Sequence, residues 1–281
     1  MRQLSLGYSP CPNDTFIFYG LIHGKVPCSN VGFIEQLEDV ETLNQLALKN
    51  QLDLTKISYH AFGHLRENYV LLRSGGALGR GCGPLVIAAR ETSMEELRGK
   101  KIAIPGQLTT ANLLLQLYSD GYEDLLILPF DQIMGAIEQG RVDAGVIIHE
   151  SRFTYQQHGL HQVLDLGQWW EEDSGHPIPL GGILAKRSLG AELIMEIDQG
   201  LRKSVEYAYA NPDEPQDYIK QHSQELEDDV IRSHIGLYVN DFSLDLGDEG
   251  IAAVTCLLQR AEERGIIPTC KLPLFAGQPY K

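Results

Sequence analysis

The pattern of apolar and polar positions predicts a chain in which short buried strands alternate with amphipathic helices. The clearest strand is the run 142–148, VDAGVII, which is apolar apart from Asp143 and is followed by His149. Its small residues, alanine and glycine, indicate close packing on both faces, which is typical of a strand inside a parallel sheet. An amphipathic segment at 131–139 precedes it. Together they predict a helix–strand unit with a histidine at the strand's carboxyl end.

The same unit occurs earlier in the chain. Residues 52–59, LDLTKISY, align with residues 142–149, VDAGVIIH, and follow an amphipathic segment at 40–49. In this alignment Tyr59 takes the place of the histidine, and Ser58 stands one position before it. A helix–strand unit that is used twice predicts two α/β lobes facing each other, although two ordinary α/β units can also resemble each other by chance.

The remaining pattern predicts one discontinuous lobe and one inserted lobe. We expect lobe 1 to contain residues 1–89 and 180–281, and lobe 2 to contain residues 90–179. The two segments that cross between the lobes would form a hinge, and the cleft between lobes is the usual ligand site. Further strands are predicted near residues 4–8, 32–37, 69–72, 84–89, 100–104, 125–128 and 180–185, and the chain is mainly helical after residue 191.

Polar side chains follow two predicted strands at the point where a helix begins. The first segment is 9–15, SPCPNDT, in which Asn13 or Asp14 is the expected helix cap. The second contains Thr109 and Thr110. Backbone N–H groups at a helix start attract carboxylate and hydroxyl ligands. A capped helix without a ligand is the alternative explanation for each.

His149 is the candidate for acid–base chemistry. Ligands of open α/β sheets bind beyond the carboxyl ends of the strands, and histidine changes charge near neutral pH. His149 is therefore a candidate general base, or a residue that only hydrogen-bonds locally at its strand end. Glu150 is the rival base, because its carboxylate could also accept a proton. If the strand continues, alternation sends the two side chains to opposite faces, so only one of them should reach the substrate. Cys11 has no basic neighbour in the sequence, so we assign it to packing.

Two other motifs do not predict a cofactor site. His60 and His64 have a spacing that can hold zinc, but no glutamate or third ligand accompanies them, so a solvated helix face is expected. The glycine-rich loop 74–83 lacks the dinucleotide-binding pattern. Its glycines are expected to let the backbone approach a ligand or the other lobe. No metal site is predicted.

The composition of the chain indicates which classes of partner it can bind and in which cellular compartment it is expected. The 281 residues carry 23 Lys and Arg against 38 Asp and Glu, a net charge of −15 that disfavours nucleic acid. A small anionic substrate is still compatible, because local donors can reverse the field inside a cleft. Five cysteines without a C-x-x-C pair indicate reduced thiols. No signal peptide or membrane-spanning run is evident, so we expect a cytoplasmic protein without membrane contact.

Four segments together carry a resemblance to a known family. They are Ser9–Thr15, Lys56–Ser58, Thr109–Ala111 and Gly145–Glu150. In combination they resemble the 1,4-dihydroxy-6-naphthoate synthases of the futalosine route to menaquinone, over nearly the whole chain. The resemblance implies a two-lobe fold like that of type II periplasmic binding proteins. It also implies a carbon–carbon lyase that converts cyclic dehypoxanthine futalosine to 1,4-dihydroxy-6-naphthoate and dihydroxyacetone, without metal or organic cofactor.

The resemblance also assigns the site. It implies that His149 is the base, and that the substrate, which carries an aromatic carboxylate, is bound by the residues of two segments. With Ser9 and Asn13 from the first loop, the expected binding residues are Lys56, Ile57, Ser58, Thr109, Thr110, Ser9 and Asn13.

Two other functions are compatible with the pattern. Chorismate dehydratase of the same route shares the fold, but the pair His149–Glu150 argues against it. A non-catalytic solute receptor of a transporter also shares the fold. Such a receptor needs an export signal or a lipid anchor, and neither is evident in the sequence.

Overall fold

The computed structural model describes residues 2–28, 31–149, 151–223 and 227–277, which form two β-sheets flanked by helices. The strands are β1 Arg2–Tyr8, β2 Val31–Leu37, β3 Leu54–Ser58, β4 Tyr69–Leu71, β5 Ala77–Gly79, β6 Leu85–Ala88, β7 Ile102–Ile104, β8 Leu125–Ile127, β9 Ala144–Ile147, β10 His161–Asp165 and β11 Ile178–Lys186. The α-helices are α1 Pro12–Ile22, α2 Val40–Leu48, α3 Tyr59–Gly63, α4 Thr110–Tyr118, α5 Ile133–Glu138, α6 Ser151–Thr154, α7 Leu166–Ser174, α8 Ala191–Ala210, α9 Gln216–His222, α10 Asp228–Tyr238, α11 Asp241–Leu244 and α12 Gly247–Glu263.

Each sheet mixes parallel and antiparallel pairs. The first has the order β2-β1-β3-β11-β4, with β5 beside β11. In it β1 is parallel to β2 and β3, and β11 is antiparallel to its neighbours. The second has the order β10-β6-β9-β7-β8, with β7 parallel to β8 and β9. The repeated unit of the sequence thus supplies an interior strand to each sheet, β3 and β9.

One strand belongs to a different sheet from the one that the sequence pattern indicated. The predicted boundary at 89/90 assigns residues 85–88 to lobe 1, but β6 pairs with β9 and β10 in the second sheet. The apolar pattern of a buried strand does not reveal which sheet the strand joins. The first crossing therefore lies between β5 and β6. The return crossing enters β11 at Ile178, next to the predicted boundary at 179/180.

The two sheets share an apolar core. One continuous cluster contains Tyr59 and Leu184 of the first sheet's side and Val86 and Trp170 of the second sheet's side, all fully buried. Because burial of large apolar side chains is the main source of stability, the two halves are held together by the same core that supports each sheet. None of the described helices is both long and apolar enough to cross a membrane.

Hydrogen bonds also join the two halves close to the crossings. The hydroxyl of Thr110, on α4, donates to the carbonyl of Leu180 at 2.5 Å and accepts from the N–H of Tyr59 at 3.1 Å. The ring Nδ1 of His60 donates to the carbonyl of Thr109 at 3.2 Å. The start of α4 is thereby tied to β11 and to α3. His60 is buried, so the expected solvated face is wrong for this residue.

The glycine-rich loop makes one close backbone approach. A Cβ on Gly83 would overlap the backbone of Gly167, and a Cβ on Gly167 would lie 2.7 Å from the Cα of Gly83.

Backbone atoms cannot move aside as a flexible side chain can, so we expect Gly83→Ala to destabilise the fold by roughly 1–3 kcal/mol. Gly236, an exposed glycine in α10 with open space around its Cβ position, is the control. Gly236→Ala should raise stability by up to about 1 kcal/mol. Urea unfolding of both variants measures the difference, and equal stability for the two would contradict the packing.

Burial of His60 makes stability depend on pH. Burial lowers the pKa of His60 from 6.5 to about 4, although the Thr109 carbonyl opposes the shift. Since the unfolded chain binds this proton more readily, stability is fully present above pH 6.5 and falls as pH drops towards 4. On the order of 2 kcal/mol is lost between pH 7 and pH 5. Urea unfolding at both pH values should show a smaller loss in His60→Gln than in the wild type. The exposed His161→Gln variant should keep the wild-type loss, and a wild-type loss in His60→Gln would refute the assignment.

Candidate active site

A cavity of about 100 Å³ lies between the two sheets, and every residue that the sequence proposes for the site lines it. The proposed residues in its wall are Ser9, Asn13, Lys56, Ile57, Ser58, Thr109, Thr110 and His149. They come from the loop after β1, from the first turn of α1, from the carboxyl ends of β3 and β9, and from the start of α4. Their meeting point follows the rule that open α/β sheets bind ligands beyond their strand ends.

His149 has a constrained position. Its φ is +56°, in the left-handed region that a non-glycine residue adopts at an energetic cost, often at functional sites. The ring centroid lies 5.0 Å from that of Phe130 and 6.2 Å from that of His234, whose ring is nearly parallel at 7°. Nδ1 faces the Cys11 sulfur at 3.6 Å. The sequence pattern assigned Cys11 to packing because no basic residue is adjacent to it, and His149 lies 138 positions away in the chain.

Asp14 is the centre of the polar wall. It forms a buried ion pair with Lys56, whose ammonium contacts Oδ1. The amide nitrogen of Asn13 donates to Oδ1 at 2.8 Å, and the Ser9 hydroxyl and N–H donate to Oδ2 at 2.7 and 3.2 Å. The expected helix cap at Asn13 or Asp14 is wrong, because α1 is capped by Cys11 with proline at its first position. The polar side chains of this loop are therefore used to build the cavity wall.

His234 was not singled out by the sequence. It lies on α10, is 1% exposed, and its Nε2 is 2.9 Å from the Asn13 side-chain oxygen. Because the Asn13 amide nitrogen faces Asp14, the oxygen must accept and Nε2 of His234 must donate. Burial, together with the charges of His149 and Lys56, lowers the pKa of His234 well below its usual range. The only signal in the sequence is a histidine on a predicted helix, and helical periodicity does not reveal its partners.

Besides Ser9, whose hydroxyl donates to Asp14, the site has three serine and threonine hydroxyls with different partners. Ser58 Oγ accepts from the Asn44 amide at 3.4 Å, so its proton can be donated to a ligand. Thr109 caps α4, accepting from Asn112 N–H at 3.3 Å and donating to the Gly106 carbonyl at 2.8 Å. The hydroxyl of Thr110 is used in the contact between the two halves. Asn112 N–H is used in this cap, whereas the N–H groups of Thr110 and Ala111 in the same turn have no carbonyl inside the helix to donate to, which favours an anion at this end of the cavity.

Within the described ranges, no three histidine, cysteine, aspartate or glutamate side chains are grouped so that they could hold a metal ion. The rings of His60 and His64 are 5.6 Å apart at their centroids, and Nδ1 of His60 is occupied by Thr109. Glu150, the rival base, lies outside the described residues.

Relatives of known name match almost the full length. The family described as Menaquinone biosynthesis matches residues 4–263. A 1,4-dihydroxy-6-naphthoate synthase from Thermus thermophilus is 54% identical and covers 98% of this chain and 100% of the relative. The synthase from Streptomyces coelicolor is 44% identical and covers 94% of this chain and 95% of the relative.

Solved structures agree on the fold. Protein AF1704 from Archaeoglobus fulgidus has a TM-score of 0.88 at 38% identity, covering 94% of this chain and 98% of that one. The alkanesulfonate-binding protein of Xanthomonas axonopodis pv. citri has a TM-score of 0.69 at 15% identity, covering 96% and 95%. The expected fold of a type II periplasmic binding protein is confirmed. The chain therefore belongs to the menaquinone-biosynthesis family, with the 1,4-dihydroxy-6-naphthoate synthases, and is an enzyme.

Proposed function

We propose that this enzyme cleaves cyclic dehypoxanthine futalosine to 1,4-dihydroxy-6-naphthoate and dihydroxyacetone, with His149 as the general base. The observation that carries the proposal is that His149 lines one cavity together with all the proposed binding residues. Two relatives with the name of this activity match 98% and 94% of this chain. We further propose that the reaction takes place in the cytoplasm, where the five cysteine thiols stay reduced.

We assign the proton transfer to Nε2 of His149, because Nδ1 faces the sulfur of Cys11. The nearby rings of Phe130 and His234 limit rotation of the imidazole, so the base is held in position before the substrate arrives. Pre-positioning removes an entropic part of the barrier. Formation of an aromatic naphthoate supplies thermodynamic drive, which leaves the protein to orient the substrate and accept a proton.

We assign the substrate carboxylate to the end of the cavity formed by the first turn of α4. The N–H groups there and the Ser58 hydroxyl supply donors, and Lys56 has N–H donors beyond the one that faces Asp14. Ile57 offers an apolar surface for the aromatic ring. The charges of Lys56 and Asp14 balance, so the substrate's negative charge is compensated when His149 gains the proton.

The volume of the cavity indicates that the lobes are closed. At about 100 Å³ it is smaller than the 300–1,000 Å³ usual for ligand pockets. Substrate entry therefore requires the halves to separate. Besides the bonds of Thr110, such a motion would break the bond from Leu108 N–H to the Glu41 carboxylate, at 3.2 Å. Closure after binding would exclude water from the reaction.

His149→Asn tests the base. Asparagine keeps a similar size but has no titratable nitrogen, so kcat should fall by roughly 10²–10⁴ with little change in KM. For the wild type, kcat/KM should fall on the acid side, because a protonated imidazole cannot accept a proton. Product formation is measured with cyclic dehypoxanthine futalosine and, in a parallel reaction, with chorismate. Turnover of chorismate instead would support the dehydratase.

Glu150→Gln is the matched control for the same assay, since it removes the neighbouring carboxylate without changing the size of the side chain. We expect near-normal turnover. Loss of turnover in Glu150→Gln, together with normal turnover in His149→Asn, would transfer the role of base to Glu150.

Ser58→Ala and Thr110→Ala separate binding from lobe contact. Ser58→Ala removes one donor to the substrate, so KM should rise by about 2- to 10-fold, the equivalent of 0.5–1.5 kcal/mol, while kcat is unchanged. Thr110→Ala should raise KM too, because Thr110 is a proposed binding residue. It also leaves the Tyr59 N–H and the Leu180 carbonyl without their partner, so its Tm should fall. Steady-state kinetics and thermal unfolding are measured on both. A lower Tm in Ser58→Ala with an unchanged KM would contradict the assignment.

A further inference from the structure

We propose that His234 is a positioning residue for this reaction, which holds Lys56 through a chain of hydrogen bonds and supports the ring of His149 through its own ring face. The inference rests on the proposed function of His149 as the base. His234 itself does not line the cavity, so it acts through its neighbours and does not touch the substrate.

The hydrogen-bond chain runs in one direction from α10 to β3. Nε2 of His234 donates to the oxygen of Asn13 at 2.9 Å, and the nitrogen of Asn13 donates to Asp14 at 2.8 Å. Asp14 in turn receives the ammonium of Lys56. An asparagine side chain whose two ends are both bound cannot rotate, so His234 fixes Asn13 and, through Asp14, the ammonium group in the cavity wall. These side chains are buried, so water does not readily replace a missing donor. Loss of one hydrogen bond therefore weakens the position of the next group in the chain.

The ring of His234 has a second role. It is parallel to the ring of His149, with centroids 6.2 Å apart, within the range of offset aromatic contacts. Tyr238, one turn further along α10, packs against His234, with the two ring centroids 4.7 Å apart. The base is therefore backed by a ring that is itself held in place.

The charge of His234 fits this role. Its pKa is lowered by burial, and further by His149 and Lys56, so the ring is neutral beside the base. If His234 were charged, its imidazolium would be close to the Lys56 ammonium, and proton uptake by His149 would add a second imidazolium beside it. A neutral ring avoids this repulsion and presents a polarisable face to the imidazolium.

The two roles can be separated by two substitutions, because histidine combines an aromatic face with an N–H donor. His234→Phe keeps the face and removes the donor, so KM should rise by about 3- to 10-fold while kcat stays within 2-fold. His234→Gln keeps a donor for Asn13 and removes the face, so KM should stay within 2-fold while kcat falls by about 3- to 10-fold. Asn13→Leu breaks the same hydrogen bond from the other side. Because Asn13 also lines the cavity, the decisive comparison is the double variant, in which His234→Phe should raise the KM of Asn13→Leu no further.

Steady-state kinetics with cyclic dehypoxanthine futalosine and thermal unfolding are measured for all variants, with His161→Gln on exposed β10 as the control for a histidine substitution. A raised KM with unchanged kcat in His234→Phe, together with a lowered kcat and unchanged KM in His234→Gln, supports the proposal. Wild-type kinetics in both would overturn it, and so would a joint loss of activity that follows the loss of folded protein. His149→Asn is assayed in parallel. If that variant keeps its turnover, the proposed base is wrong, whereas the KM arm still decides whether His234 positions Lys56.

Discussion

The buried ion pair between Asp14 and Lys56 is the interaction on which the rest of the site depends. Both side chains are at most 7% exposed, and removing two charges from water costs several kcal/mol per ion unless each is well hydrogen-bonded. Asp14 meets this condition with donors from Ser9, Asn13 and Lys56. Since these donors belong to the loop after β1, to α1 and to β3, satisfying one carboxylate fixes three elements around one wall of the cavity.

The opposite wall is fixed by the contact between the halves. The start of α4 offers helix N–H groups to the cavity, while the Thr110 hydroxyl and the Thr109 carbonyl bind Tyr59 and His60 of the other half. The end of the cavity to which we assign the substrate carboxylate is therefore complete only when the halves are together. A periplasmic-binding-protein fold, which closes around a ligand, provides a water-free compartment, and His149 adds a group that can react within it.

The sequence predicted the features that depend on local pattern. Apolar runs and their polar ends located β3, β9 and the start of α4. Because ligands of open α/β sheets bind beyond the carboxyl ends of the strands, the sequence also predicted that Ser58 and His149 line one cavity. The features it missed depend on partners far apart in the chain. His234 reaches Asn13 across 221 positions, and β6 joins a sheet that its apolar pattern does not specify. Likewise, the thiol of Cys11 faces His149, which is distant in the sequence, so the residues next to Cys11 do not indicate this contact.

The most direct test of the central claim is a crystal structure of His149→Asn with cyclic dehypoxanthine futalosine bound. The account predicts the substrate between the halves, with its carboxylate at the first turn of α4 within reach of the Ser58 hydroxyl. The carbon that loses its proton should lie about 3–3.5 Å from the side chain of residue 149, the distance of a near-attack arrangement. A substrate whose carboxylate faces away from α4, or whose reacting carbon lies on the far side of the cavity from residue 149, would contradict it.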